Sequence, residues 1–227
     1  MKKLILISAL LLVGWALKAQ DTFFPTKEGT VLVYKTFDKK DKLTNTLRYT
    51  IREVKKNGSD MDITYLCESI DPKDKPVFSE EITIHQKGDK LYFDMSNFVS
   101  KAAFVQEGQV SPDIQVKGNE LQIPLNPAPG DALPDANVEM SLKMGFINMK
   151  SMAELTNRKV EAVEDVTVKA GTFNAYRLSC DVNASAMGIK TKAKSVDWYA
   201  KGIGTIKTES FDKNGQRQSY MELIEVR

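Results

Sequence analysis

From Gly29 to the C-terminus the chain alternates apolar and polar residues with a period of two, and short Gly-, Asn- and Asp-bearing pairs interrupt that alternation at regular intervals. Only a strand that buries one face and wets the other needs this rhythm, because successive side chains in a strand point to opposite sides. Leu47, Tyr49 and Ile51 lead into Asn57-Gly58, and Met61, Ile63, Tyr65 and Cys67 share the next face. Asn-Gly accepts the positive φ angles of a two-residue hairpin turn. Ile82 and Ile84 precede Lys87-Gly88-Asp89, Leu91 and Phe93 return, and Asn214-Gly215 predicts the last hairpin. Lys117-Gly118-Asn119 reads the same way, as a hairpin joining residues 114–116 to 121–123. In the second half Val138, Met140, Leu142, Met144 and Phe146 fall on one face, and Tyr176, Leu178, Cys180 and Val182 on another. The expected fold is mainly β, a single curved antiparallel sheet or incomplete β-barrel with one or two short helices.

Two stretches break the rhythm. Phe98, Val99, Ala102, Ala103 and Val105 have helical spacing, with Ser96 as the expected cap. Pro124 to Pro134, with Pro127, Pro129 and Gly130, reads as a crossing loop, since proline cannot donate to a ladder.

The N-terminus reads as an export leader: Lys2 and Lys3, an apolar run from Leu4 to Leu17, then Ala19 before Gln20. A run of that length is a signal-peptide core rather than a comfortable membrane span. Cleavage after Ala19 gives a signal peptide over 1–19 and one β-rich domain over 20–227, periplasmic or secreted, with no cysteine at the cleavage site for lipid attachment. Loss of Lys2, Lys3 and Lys18 leaves 29 basic against 30 acidic residues. A nearly neutral chain lacks the field that gathers nucleic acid, which is excluded as a main partner.

The chemistry-bearing residues are sparse. His85 is the one histidine and shares parity with Thr83 and Lys87, on the wetter face, and no Gly-x-Ser-x-Gly elbow accompanies any serine. One His and two separated Cys make neither a zinc nor a haem ligand set, so no cofactor, no metal and no enzyme activity are expected. Glu80 and Glu81 point to opposite faces, and Asp71 to Asp74 lacks calcium-loop spacing, so these acids read as solvating charge. Cys67 and Cys180 both fall on apolar parity; a disulfide and two buried thiols are equally open. Lys190, Lys192 and Lys194 make a basic stripe, read as a charged guard on an edge strand or as a dock for an acidic partner or lipid headgroups. Trp198 shares the parity of those lysines, and a bulge near Ser195 or Val196 is expected to swing it inward. Met140, Met144, Phe146 and Trp198 are the candidate apolar groove, for a lipid or other apolar small molecule; ordinary core filling explains the methionines as well.

Val166-Thr167-Val168-Lys169-Ala170-Gly171-Thr172-Phe173 resembles the Val-Pro-Ala-Gly-Thr-Phe turn of the TapB-like envelope protein family of unknown function, and Trp198-Tyr199-Ala200-Lys201-Gly202-Ile203-Gly204 resembles its Trp-Tyr-Ala-Pro-Gly-Val-Gly signature. The resemblance implies a strongly curved sheet or incomplete barrel reminiscent of the bacterial lipoprotein carriers, with no activity to carry over. Lys169 and Lys201 stand where that family favours proline. Gly171, Gly202 and Gly204 are expected at turns and bends that demand φ above zero; Gly202 and Gly204 are also placed to leave room for the Trp198 indole. The function expected is an exported, non-enzymatic binding or carrier-like module with an apolar groove. The alternative is a structural envelope protein that docks a partner on an exposed sheet edge.

Overall fold

In a computed structural model, which describes residues 22–98, 113–144 and 147–227, thirteen strands form one antiparallel sheet nearly closed into a barrel. They are β1 (Val31–Asp38), β2 (Leu43–Asn57), β3 (Asp60–Ile70), β4 (Pro76–Lys87), β5 (Lys90–Asp94), β6 (Asp113–Gly118), β7 (Glu120–Pro124), β8 (Ala136–Met144), β9 (Ile147–Val168), β10 (Gly171–Ala186), β11 (Ile189–Ala200), β12 (Gly204–Asp212) and β13 (Arg217–Val226). The order across the sheet is β6-β8-β9-β10-β11-β12-β13-β1-β2-β3-β4-β5-β7. The expected leader, residues 1–19, lies outside the described residues. So does the predicted helix beyond its start, where a 3-10 turn runs over Met95–Phe98 and the Asp94 carboxylate, rather than Ser96, caps it by accepting from the Ser96 amide at 2.8 Å.

Most hairpins follow the sequence signals. Gly58, Gly88 and Gly215 take φ of 63°, 58° and 76° at their turns. Three turns, the Gly215 turn among them, share one design: Asp38, Asp71 and Asp212 each accept two backbone amides of their own turn, from Lys40 and Lys42, Lys73 and Lys75, and Asn214 and Gln216. A side chain that satisfies the turn's amides makes the reversal a local property of its residues.

The Lys117-Gly118-Asn119 hairpin does not form. β6 pairs with β8 and β7 with β5, so the two segments sit at opposite ends of the strand order and the chain between them bridges the seam. Asn119 fastens that seam. Its carbonyl accepts from the Met95 amide at 3.1 Å, its amide donates to the Asn137 carbonyl at 3.2 Å, and its side chain bonds both Asn137 and Asp135. Gly118 is required for closeness rather than for a turn: a Cβ there would sit 2.9 Å from the Asn137 carbonyl oxygen and 3.0 Å from the Met95 Cβ.

Buried residues alternate along the strands as the rhythm predicts, with Ile63, Ile84, Leu91 and Ile123 at 0–1% exposure in the floor of one wall. In β1 the deeply buried pair is Leu32 and Tyr34 rather than the valines beside them. The barrel has two distinct rims. At one, the turn rim, lie the β1–β2, β3–β4, β10–β11 and β12–β13 connections; at the other lie the β2–β3, β4–β5, β9–β10 and β11–β12 connections.

Candidate functional site

The interior of the barrel is organised by rungs of register partners. Met61, Gln86, Leu91 and Ile123 make one rung; Ile63 with Ile84, Tyr65 with Ile82, and Cys67 with Glu80 and Tyr49 follow toward the turn rim. The lower rungs are filled. Above them the side chains diverge around a chamber of about 230 Å³ walled by Tyr49, Tyr65, Phe78 and Phe93, with Leu47, Cys67 and Ile82 between the rings. Glu80, Thr83, Asp94 and Asn97 supply its polar side. Glu80 thus faces the interior, which adjacency to Glu81 left undecided. Burial pushes the Tyr49, Tyr65 and Tyr34 phenols above their ordinary range, so all three stay neutral donors.

A strap at the N-terminus closes the interior from the far rim, and the second sequence motif is built to hold it. Phe23 is fully buried and meets Tyr176 edge-on at 5.3 Å and Tyr199 at 6.1 Å. Phe24 turns the other way, onto Tyr65 at 5.6 Å and Phe93 at 5.9 Å, beneath the chamber. The Gly202 amide donates to the Thr22 carbonyl at 2.8 Å. Gly204, at φ 98°, leaves room for the Phe24 ring, which would stand 3.4 Å from a Cβ there; the room is made for phenylalanine and not for the expected indole. Lys201 places its ammonium 5.9 Å from the Phe23 ring centroid and 2.5 Å from the Asn126 side-chain oxygen. Where the resembled family favours proline, this chain therefore holds both the strap and the crossing loop. Two adjacent aromatics shortly after the expected leader are the one sign of the strap in the sequence, and the alternation rule gives no reason to single them out.

Trp198 lies elsewhere. Its register partners are Arg177 and Lys207, whereas those of Asp197 are Leu178 and Thr208, which places the two residues on opposite faces. No bulge occurs at Ser195 or Val196 against either neighbouring strand; the shift falls beyond the tryptophan, between Trp198 and Tyr199 against β12. Trp198 is buried on the face that its parity with the lysines dictates, where the indole donates to Glu164 at 2.8 Å and the Lys207 ammonium stands 5.1 Å from the ring. Gly171 takes φ 139° at the tip of the β9–β10 hairpin, whose Ala170 amide reaches the Leu223 carbonyl at 3.3 Å, folding that tip onto β13.

Of the remaining groove candidates, Met140 lines a second apolar hollow of about 360 Å³, with Val138, Met152, Ala153, Ala184, Ala186 and Ile189. Phe146 and the side chain of Met144 lie outside the described residues. Of the predicted groove residues that are described, Met140 alone lines this second hollow, none lines the aromatic chamber, and Trp198 belongs to neither.

Cys67 and Cys180 are free and buried, with β11, β12, β13, β1 and β2 between their strands. Burial pushes the Cys67 thiol up to about 12 and the Cys180 thiol to about 11, which leaves almost no thiolate at neutral pH. His85 points away from the chamber and meets Asp62 at 2.6 Å on the outer face. A cavity of about 40 Å³ gathers Arg158, Cys180, Asp197 and Tyr199 inside the barrel. Arg158 donates there to the Pro134 and Gln122 carbonyls, tying the crossing loop and β7 to β9. Asp197 accepts from Thr208 at 2.7 Å and Ser195 at 3.1 Å, and burial holds its carboxyl above the usual range against those two bonds. The lysine stripe lies on a strand that is only partly an edge, since β11 pairs on both sides from Ala193 to Ala200.

Solved structures share this architecture. A candidate exported protein of YmcC-like fold from Bacteroides fragilis superposes with a TM-score of 0.76 at 21% identity, over 91% of this chain and 99% of that one. A candidate lipoprotein from Parabacteroides distasonis gives 0.76 at 24% identity, over 91% and 98%. A search of the curated proteins finds no match. The family comparison spans residues 27–223, from the strand after the strap to the last strand, and by it the chain belongs to the DUF3108-like family.

Proposed function

We propose that this is an exported, non-catalytic binding protein whose barrel takes one apolar moiety into the aromatic chamber. The observation that carries this reading is the chamber itself: four rings and three aliphatic or thiol side chains surround about 230 Å³ inside a wall whose lower rungs are packed to 0–8% exposure. Protein interiors ordinarily close such spaces. Sites for drug-sized ligands run from about 300 Å³ upward, so this one suits a single ring or a short acyl chain rather than a whole two-chain lipid. Glu80, Asp94 and Asn97 offer the few convergent polar groups that would orient the guest. The leader-like N-terminus, the resemblance of the two motifs to TapB-like envelope proteins, and two structural neighbours described as a candidate exported protein and a candidate lipoprotein support export. Protonated buried thiols and a histidine turned away from the chamber favour binding over nucleophilic chemistry.

Trp198 cannot report on the chamber from its own face, so the test places a reporter there. Emission of a Phe78→Trp variant should shift to the blue on titration with fatty acids of six to fourteen carbons, and affinity should stop rising once the chain outgrows the chamber. Lack of any shift, together with no apolar compound retained on native mass spectrometry of the wild-type protein, removes the reading.

A second reading has one observation in its favour. β4 pairs with β3 along its length but with β5 only from His85 to Lys87, so among the described residues the stretch from Pro76 to Ile84 has one strand neighbour. An extended partner segment would find its ladder there.

A further inference from the structure

The β10–β11 turn contradicts its own local chemistry. Met187 and Gly188 are the two central residues, at φ 49° and 81°, a mirror-type turn in which Asn or Asp before Gly is favoured because those side chains tolerate the left-handed region. A methionine there is strained, and burial does not compensate, since Met187 is 70% exposed. Ile189, the next strand residue, is 69% exposed. Elsewhere among the described residues the non-glycine positions at positive φ are held by Asp41, Asp74 and Asn157, so the sequence does not lack the better choice. Neither the turn nor the core accounts for these two side chains, which leaves a partner outside the molecule.

Their surroundings identify its chemistry. Among the described residues, large apolar side chains more than half exposed are Met187, Ile189 and Val77, and all three lie at the turn rim. The Met187 amide donates to the Lys150 carbonyl at 3.4 Å, which sets the tip beside β9. The described residues of 140–152 and those of 185–192, which meet there, include Lys143, Lys150, Lys190 and Lys192 and no carboxylate, and all four lysines are exposed. Asp38, Asp71 and Asp212 at the same rim spend an oxygen on their own turn amides.

We propose that the turn rim docks on an anionic lipid bilayer, with Met187 and Ile189 entering the acyl boundary and the four lysines at the level of the headgroups. Apolar prongs ringed by cations are the pattern of an interfacial anchor, in which neither part suffices alone. A hydrophobic protein groove would match the prongs but would leave a ring of lysines without anions. The inference stands apart from the chamber, and either can fail without the other.

The test is flotation of the purified protein, matured by its own cell, with vesicles of equal parts phosphatidylglycerol and phosphatidylcholine, and with phosphatidylcholine alone. The wild type should bind the anionic vesicles and release as salt is raised. Met187→Asn with Ile189→Thr restores the favoured turn, so thermal stability should hold or rise while vesicle binding falls at least tenfold. Lys190→Gln with Lys192→Gln should lower binding roughly fivefold per lysine on anionic vesicles only. A Met187→Trp variant should shift its emission to the blue on those vesicles. The proposal is overturned if the Asn/Thr variant floats as the wild type does, if the wild type floats with neither vesicle, or if the exposed tip proves instead to pair two copies of the chain, seen as a dimer that the same variant dissolves.

Discussion

Replacing Phe23 with alanine tests whether the strap is part of the core. Phe23 is fully buried, and taking a phenylalanine from water to such a site is worth about 1.5–3 kcal/mol. Its two edge-on partners, Tyr176 at 87° and Tyr199 at 71°, add roughly 0.5–1.5 kcal/mol each. The rings around it belong to strands and cannot collapse into the space, so the full penalty of about 3–5 kcal/mol known for buried phenylalanine truncation is expected. For a chain of this size a loss of about 4 kcal/mol lowers Tm by roughly 8–16 °C. Urea unfolding followed by far-ultraviolet circular dichroism should show the midpoint falling with its slope unchanged, which marks lost stability rather than a new denatured state. Phe23→Leu, which keeps most of the volume, should recover more than half of the loss. A change below about 1 kcal/mol in the alanine variant would mean that the strap does not dock in solution, because no buried aromatic can be removed so cheaply.

Gly118→Ala should destabilise by about 1–3 kcal/mol in the same assay, because the new methyl overlaps the Asn137 carbonyl and the Met95 Cβ; an ordinary strand glycine would gain from the change. Asp197 has its folded-state pKa raised by burial, so the folded state holds its proton more tightly than the unfolded chain, and stability falls as pH climbs from about 4 through the raised value. Asp197→Asn should abolish that downward slope in pH-dependent unfolding, and an unchanged slope would refute the assignment. Cys67 and Cys180 should appear as two free thiols in non-reduced peptide mass spectra, alkylated slowly in the folded protein and rapidly in urea. Gly204→Ala should shift the strap, read as faster proteolysis near Phe24, since it adds a Cβ at φ 98° against that ring.

The strands were legible because each carries its own evidence. A buried face every second residue, and turns such as Asn57-Gly58 or Asp38 with its two amides, are set within a handful of positions. Lys117-Gly118-Asn119 imitates that local signal yet bridges the seam, because Gly118 answers a carbonyl and a side chain far away in the chain. Trp198 shows the same limit. It shares the parity of the lysines, and its burial comes from the apolar cluster it joins with Val168, Ala175, Ala200, Ile206 and Leu223, with Glu164 and Lys207 beside the ring, rather than from the bulge expected at Ser195 or Val196.

The amino-acid order by itself determined that the chain makes antiparallel strands, where most of them turn, and the alternation of buried and wet side chains along most of them, since these depend on neighbours one to four residues apart. Tertiary structure alone decided the closure at Asn119, the docking of Phe23 and Phe24, and the chamber above them. The chamber is a volume bounded by three hairpins and a strap, and a volume has no signature along a line: it exists only once curvature has brought Tyr49, Tyr65, Phe78 and Phe93 around the same space.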